Sequence, residues 1–133
     1  MLSLLELNEH YDLVDSLNRA EDLLNRLREA AEPGAQVITG MPHPPGVKDR
    51  VGSLATDIAH VDARLTALRT AVAESEARVS PFIDSIEDVV TATIFRLRFL
   101  KGLEWKDVAA VVGGRNTAET VKKQCYRYLH VDY

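Results

Sequence analysis

A run of apolar residues from Val51 to Val79 constrains the fold most, because its spacing alternates strictly between three and four. The run covers four heptads, and its members are Val51, Leu54, Ile58, Val61, Leu65, Leu68, Val72, Ser75 and Val79. This alternation is the pattern of a coiled-coil helix. The other faces carry mixed charges that suit solvent, so we expect a long helix that buries one face against a partner.

A second apolar run supplies a partner within the same chain. Its steps are three or four residues throughout, and its members are Leu4, Leu7, Tyr11, Val14, Leu17, Ala20, Leu24, Leu27 and Ala31. The run predicts a long helix that ends before Pro33 and Gly34, because proline lacks a donor and glycine readily becomes left-handed. Two such helices most simply pair as an antiparallel hairpin, with further apolar surface left for a partner or a second copy.

Residues 32–50 separate the two runs and hold four of the five prolines. We expect this linker not to be regular helix, and its length favours either disorder or a loop with contacts of its own. His43 lies in it without a second ligand at a useful spacing, so a loop histidine is favoured over a metal ligand.

The charge of the chain is divided unevenly. Residues 1–92 contain 8 basic and 16 acidic side chains, whereas residues 93–133 contain 8 basic and 4 acidic, which gives −8 and +4 and a total of −4. The C-terminal part should therefore attract polyanions that the rest repels.

Other classes of protein are disfavoured. Cys125 is the single cysteine, which excludes an internal disulfide and fits a reducing cytosol. The N-terminus does not read as a signal peptide, and no apolar run approaches the ~18 residues of a membrane span. Catalytic spacing of serine, histidine and carboxylates is not found, so we expect neither an enzyme, a metal site nor a cofactor.

Start signals for a further helix follow the second run. Ser80 can cap a helix whose first residue is Pro81, and Asp84 with Glu87 forms a second capping pattern. Gly102 should end this helix. We expect its buried side to comprise Ile86, Val89, Val90, Ile94, Leu97 and Leu100.

Two shorter helices complete the chain, and with the preceding one they predict a helix-turn-helix unit. The middle helix should end at Gly113 and bury Trp105, Val108, Ala109 and Val112. In the last helix, Asn116 is the expected N-cap, and Glu119 would complete a capping box. One face of this helix, with Val121, Cys125, Tyr128 and Leu129, should pack inward.

The opposite face of the last helix is basic. Arg115, Lys122, Lys123 and Arg127 have donors long enough to reach phosphates or guanine edges, and Asn116 and Thr120 could add contacts near the helix start. Each cation alone is more simply a solvated residue near a helix C-terminus. The "GGRN" segment is not a phosphate loop, because the lysine and hydroxyl of that motif are missing. Cys125 is expected to be an inert core thiol.

The segment "LRFLKGLEWKDVAAVV" resembles the promoter-reading helix-turn-helix of sigma factors. The matching residues are Leu97, Arg98, Phe99, Leu100, Gly102, Trp105, Val108 and Ala109. With the proline-rich segment, "VKDRVGSLA" and "GGRNTAETVKKQCYRYL", the chain from about Met41 onward resembles the ArpU/RinA-like family of bacteriophage and prophage transcriptional regulators. The resemblance implies sigma-like DNA-binding activation of phage genes. It would place Thr117, Thr120, Lys122, Lys123 and Arg127 on or beside the recognition helix.

We therefore expect an all-α protein with a long helical hairpin in residues 1–80 and a DNA-binding helix-turn-helix domain in residues 81–133. The expected function is sequence-specific binding of duplex DNA that regulates transcription in the cytoplasm of a bacterial host. The hairpin would form a homo-oligomer, most simply a dimer, or contact RNA polymerase. Two alternatives are a DNA-packaging protein like a small terminase subunit and a coiled-coil adaptor that binds only protein.

Overall fold

The computed structural model describes residues 2–32 and 47–132, and the side chains of residues 47–52 are not described. All regular structure in these ranges is helical, which confirms the all-α prediction. The helices are α1 (Leu4–Ala31), α2 (Val47–Asp84), α3 (Val89–Phe95) with a π-helical segment Arg96–Leu100, α4 (Trp105–Val112) and α5 (Ala118–Tyr128). No helix in the described ranges is long and apolar enough to cross a membrane.

The two long helices lie where the apolar runs predict them. The bounds of α1 match its run, and α2 begins at Val47, so it includes the last residues of the expected linker. Pro33, Gly34 and His43 lie outside the described residues. The residues of both runs whose side chains are described are buried or half-buried, which confirms the predicted apolar faces.

The chain forms two compact units, and both long helices contribute to each. One unit comprises Leu17–Arg69 and the other comprises Met1–Ser16 with Thr70–Tyr133. In the Leu17–Arg69 unit, Leu24 and Leu65 are buried. An exposed ion pair joins Arg69 Nε to Glu21 Oε1 at 3.8 Å, and a pair so exposed adds little stability.

The other unit, hereafter the C-terminal unit, contains the largest core. Leu7 of α1 and Val79 and Ile83 of α2 are buried there. Aromatic rings fill the centre, with Phe95 and Tyr128 in edge contact at 5.5 Å between ring centroids. The core also contains Ile86, Ile94, Phe99, Val108, Ala109, Val121, Cys125 and Leu129. The first four turns of the chain therefore pack with the C-terminal helices rather than only with the hairpin.

The prediction that Ser80 and Pro81 start a new helix is wrong. Pro81 lies inside α2, which continues to Asp84. An interior proline costs a helix about 3 kcal/mol, because it removes one hydrogen bond and crowds the preceding turn. Val79 and Ile83 are four residues apart and fully buried on the same face. Burial of two such side chains contributes about 1.5–3 kcal/mol each, which is enough to offset the proline.

The predicted capping box of Asp84 and Glu87 is also wrong, because Asp88 is the N-cap of α3. Its carboxylate accepts hydrogen bonds from the backbone N–H of Thr91 at 3.0 Å and from the Thr91 hydroxyl at 2.6 Å. These bonds lower the pKa of Asp88. Asp84 instead forms an ion pair with Arg96. The helix therefore starts four residues later than the sequence signal indicated.

The buried side of α3 differs from the prediction at its start. Val89 and Val90 are 76% and 46% exposed, whereas Thr91 is buried. Both valines lie in the first turn of α3, whose buried side is formed by Thr91, Ile94 and Phe95. Ile86 and Ile94 are buried and Leu97 and Leu100 are half-buried, so the rest of the predicted side is confirmed.

The segment Arg96–Leu100, which follows α3, is π-helical. Lys101 N–H donates to the carbonyl of Arg96 at 3.0 Å, five residues back rather than four. A π turn holds an additional residue, so side chains beyond it are displaced from positions that follow a 3.6-residue period. Phe95 and Phe99 are both fully buried, although the predicted buried side included neither.

Candidate nucleic-acid interface

Two helices joined by a tight turn form the predicted helix-turn-helix pair. α4 packs against α5, and α3 contacts both. Gly102 (φ 74°) precedes α4, and Gly113 (φ 77°) is its C-cap, as predicted. Gly114 also has a positive φ of 66°. Two consecutive residues with positive φ reverse the chain sharply, and glycine adopts such a conformation without steric cost.

The N-cap of α5 is Thr117, so the predicted cap by Asn116 and box with Glu119 are wrong. The Thr117 hydroxyl accepts from Thr120 N–H at 3.3 Å, and the Thr120 hydroxyl accepts from Thr117 N–H at 2.8 Å. This is a capping box in which threonine takes the place of glutamate. The Asn116 amide donates instead to the Gly113 carbonyl at 2.9 Å and closes the turn.

One face of α5 anchors the helix, as predicted. Val121 and Cys125 are fully buried and Leu129 is 6% exposed. Burial raises the pKa of Cys125 to about 12, and the positive charge of Arg98 opposes this only in part. The thiol is therefore protonated near neutral pH, which fits a core residue rather than a nucleophile.

The opposite face of α5 presents the cations. Lys123 and Arg127 are exposed and four residues apart, with the exposed Thr120 one turn before them. Lys123 and Arg127 line a shallow cavity of about 280 Å³ with Tyr126, Val131 and Asp132. Lys122 is half-buried, and its Nζ lies 5.6 Å from the centroid of the Tyr126 ring. The helix therefore directs two cations outward and holds a third against an aromatic ring.

The remaining predicted residues lie at the start of α5. Arg115, Asn116 and Thr117 are exposed in or directly after the turn. The structure therefore brings the seven predicted residues together in one segment. Three of them form hydrogen bonds within that segment. Thr117, Thr120 and Asn116 use polar groups to hold the cap and the turn. Arg115 and the lysines are better suited to long-range contact with an anion.

Arg98 connects this pair of helices to α1, and the periodicity gave no sign of this contact. Its guanidinium carbon lies 3.7 Å from the centroid of the Tyr11 ring and 4.5 Å from that of Trp105. Its Nη1 donates to the Leu103 carbonyl at 3.1 Å. Trp105 in turn meets Phe99 edge-on. Arg98 is therefore half-buried between two aromatic rings rather than exposed to a ligand.

A polar chain links the start of α3 to the middle of α5. Gln124 Nε2 donates to the Thr91 hydroxyl at 3.0 Å, and that hydroxyl donates to Asp88. Thr91 is 6% exposed, so this chain satisfies a buried hydroxyl that would otherwise be unpaired. The bonds help to fix the rotation of α5 about its axis.

A second buried polar pair joins α1 to α2. His10 is 1% exposed, and its Nδ1 shares a hydrogen bond of 2.7 Å with the Ser75 hydroxyl. Burial lowers the pKa of His10, and the Glu76 carboxylate opposes this in part. Ser75 is a member of the predicted heptad pattern, and that pattern did not indicate His10 as its partner. In the described ranges, no three potential metal-ligating side chains lie close enough to hold an ion.

The chain shows no significant match to any protein-family model, curated protein or solved structure. The assignment of function therefore depends on the geometry of α4, α5 and their cations.

Proposed function

We propose that the protein is a sequence-specific DNA-binding transcriptional regulator that inserts α5 into the major groove of duplex DNA. The observation that carries the proposal is the division of α5 into two faces. Val121 and Cys125 fix one face in the core, while Lys123 and Arg127 extend from the other. A helix held in this way against a preceding helix is the arrangement by which helix-turn-helix proteins approach DNA.

Charge supports the same proposal. Residues 93–133 contain 8 basic and 4 acidic side chains in a chain whose total charge is −4. Contacts between cations and phosphates release counterions and supply much of the affinity for DNA.

A few cations on one small unit bind DNA weakly, so we further propose that the protein acts as a dimer on paired half-sites. RNA polymerase is a candidate partner of the hairpin. The resemblance to ArpU/RinA-like regulators favours activation of phage or prophage genes in the bacterial cytoplasm.

An adaptor that binds only protein is the second candidate. The exposed valines favour it, since Val89 and Val111 of the C-terminal unit are 76% and 62% exposed. Exposed apolar side chains that cluster mark protein contacts more often than DNA contacts. These valines are few and isolated valines are common on surfaces, so the basic face of α5 outweighs them.

Selection of bound sites from a random pool of duplex DNA tests the proposal. The purified full chain should enrich one sequence, repeated as two half-sites about 10 base pairs apart or a multiple of that distance. A variant with Lys123→Glu and Arg127→Glu should enrich none. If the wild type also enriches none at low salt, the regulator proposal is contradicted and the adaptor is favoured. A ring of many subunits in light scattering would instead favour a terminase-like packaging protein.

A further inference from the structure

We propose that Arg98 is a positioning residue through which α1 sets the orientation of the α4–α5 pair. The proposal rests on the function proposed above, because the orientation of α5 matters only if that helix meets a ligand. Its starting point is the arrangement around the guanidinium, which Tyr11 approaches at 3.7 Å and Trp105 at 4.5 Å.

The guanidinium is held by three different parts of the C-terminal unit. Tyr11 belongs to α1, Trp105 is the first residue of α4, and the Leu103 carbonyl lies in the turn that leads into α4. Arginine can do this because its planar group stacks on rings while its N–H groups donate in the plane. Lysine carries a compact charge and cannot make the stack and the directed bond together.

The contact lies at the point that determines the direction of α4. Leu103 N–H donates to the Leu97 carbonyl at 3.1 Å, and Gly102 has a positive φ, so the chain turns sharply between Arg98 and Trp105. Arg98 joins the two sides of this turn through Leu103 and Trp105. α5 follows α4 after a short turn and packs against it. A shift of Trp105 is therefore transmitted to the cations of α5.

Tyr11 makes this arrangement dependent on α1. Its ring covers one side of the guanidinium, and Leu7, one turn earlier, lies in the same core as Phe99 and Val121. If a partner or a second copy displaced the start of α1, Arg98 would lose a ring contact and α4 would lose a constraint. Tyr11 would therefore influence how α5 meets its ligand, although it lies far from α5 in sequence.

The test compares Tyr11→Leu, Arg98→Lys and the conservative Tyr11→Phe in the full chain. We expect Tyr11→Leu and Arg98→Lys to weaken binding to the selected DNA duplex roughly 3- to 30-fold at a temperature where circular dichroism shows every variant fully folded. Tyr11→Phe keeps the ring and should bind like the wild type. Trp105 is the only tryptophan, so its emission and its quenching by acrylamide report the same contact without DNA. Both should change in Tyr11→Leu and stay unchanged in Tyr11→Phe.

Leu13→Ala is the matched control. Leu13 is half-buried on α1 in the same unit, where it lines the groove between α1 and α2 with Ala71 and Ser75. The substitution should reduce stability while leaving the affinity of the folded protein and the Trp105 emission unchanged. If the wild type binds DNA and Tyr11→Leu binds equally well, Arg98 has only a structural role and the positioning proposal fails alone. If the wild type binds no duplex, the proposed function fails and the positioning proposal fails with it.

Discussion

The side chains of His10 and Ser75 meet at 2.7 Å between α1 and α2, although 65 residues separate them in the chain. The hydrogen bond lies beside buried apolar side chains, since Leu7 and Val79 are buried one turn away on each helix. A polar pair in such a contact favours the one register in which His10 Nδ1 meets the Ser75 hydroxyl, and His10 Nε2 is buried there without a hydrogen-bond partner. The pair therefore specifies how the two helices align.

Ser75→Ala should lower the free energy of unfolding by about 1–3 kcal/mol, because it leaves the buried Nδ1 of His10 without a partner. A double variant, His10→Leu with Ser75→Ala, should recover part of this loss by removing both polar groups. Urea denaturation followed by circular dichroism measures both effects. Ser53→Ala, at an exposed position of α2, serves as the control and should have little effect. Equal losses from Ser53→Ala and Ser75→Ala would rule out the buried pair as the cause.

Stability should fall as the pH drops below about 6.5, the ordinary pKa of histidine. Burial lowers the pKa of His10, so between that lowered value and the ordinary one the unfolded chain binds a proton that the folded chain does not. The contribution of neutral His10 to the free energy of unfolding is therefore fully present above the ordinary pKa. It is lost progressively as the pH falls toward the lowered pKa. Urea denaturation at a series of pH values should show this decrease in the wild type and a smaller one in His10→Leu. The same pH dependence in both proteins would exclude His10 as the source.

Thr117→Ala should destabilise the protein by about 1 kcal/mol, since it removes the side chain that caps α5. Thr117→Ser keeps the hydroxyl and should retain most of the stability. Thermal denaturation of the two variants makes the comparison. Thr117 and Thr120 bond to each other at the start of the helix. Under the proposed function, the longer side chains of Lys123 and Arg127 rather than these threonines would reach the ligand. Identical melting temperatures for both variants would contradict the observed capping box.

Cys125 should resist thiol reagents in the folded protein. Its pKa is raised to about 12. At pH 8 its thiolate fraction is therefore lower by a factor of roughly 10³ than that of an ordinary cysteine, and burial reduces access further. Labelling with a chromogenic disulfide should be slow in native buffer and rapid in denaturant. Fast labelling without denaturant would show that α5 does not stay packed on the core.

The long helices could be predicted from sequence, because a spacing of three and four residues places every apolar residue of the run on one face of a helix. The alternation could not show that Ser75 pairs with His10, because periodicity does not specify how one helix is shifted along another. The contact between Tyr11 and Arg98 could not be predicted for the same reason, since it forms only when α1 packs against the C-terminal helices.

Local signals failed where several residues could serve the same role. Asn116 and Thr117 are both common caps, and the choice depends on the backbone set by Gly113 and Gly114. The expected side of α3 was wrong for Val89 and Val90, because the helix buries Thr91, Ile94 and Phe95 instead. The same prediction left out Phe95 and Phe99, which are fully buried, and a 3.6-residue period cannot anticipate the additional residue of a π turn. The faces of α4 and α5 were predicted better because both helices are regular.

The most direct measurement of the central claim is the affinity for duplex DNA of two variants with the same change in charge. One variant has Lys123→Glu and Arg127→Glu on α5, and the other has Arg26→Glu and Arg28→Glu, both exposed on α1. The α5 variant should bind at least tenfold more weakly at low salt, and its logarithmic salt dependence should be smaller by about two. The α1 variant should retain most of the wild-type affinity. Equal affinity for the wild type and the α5 variant would contradict the claim that α5 meets DNA.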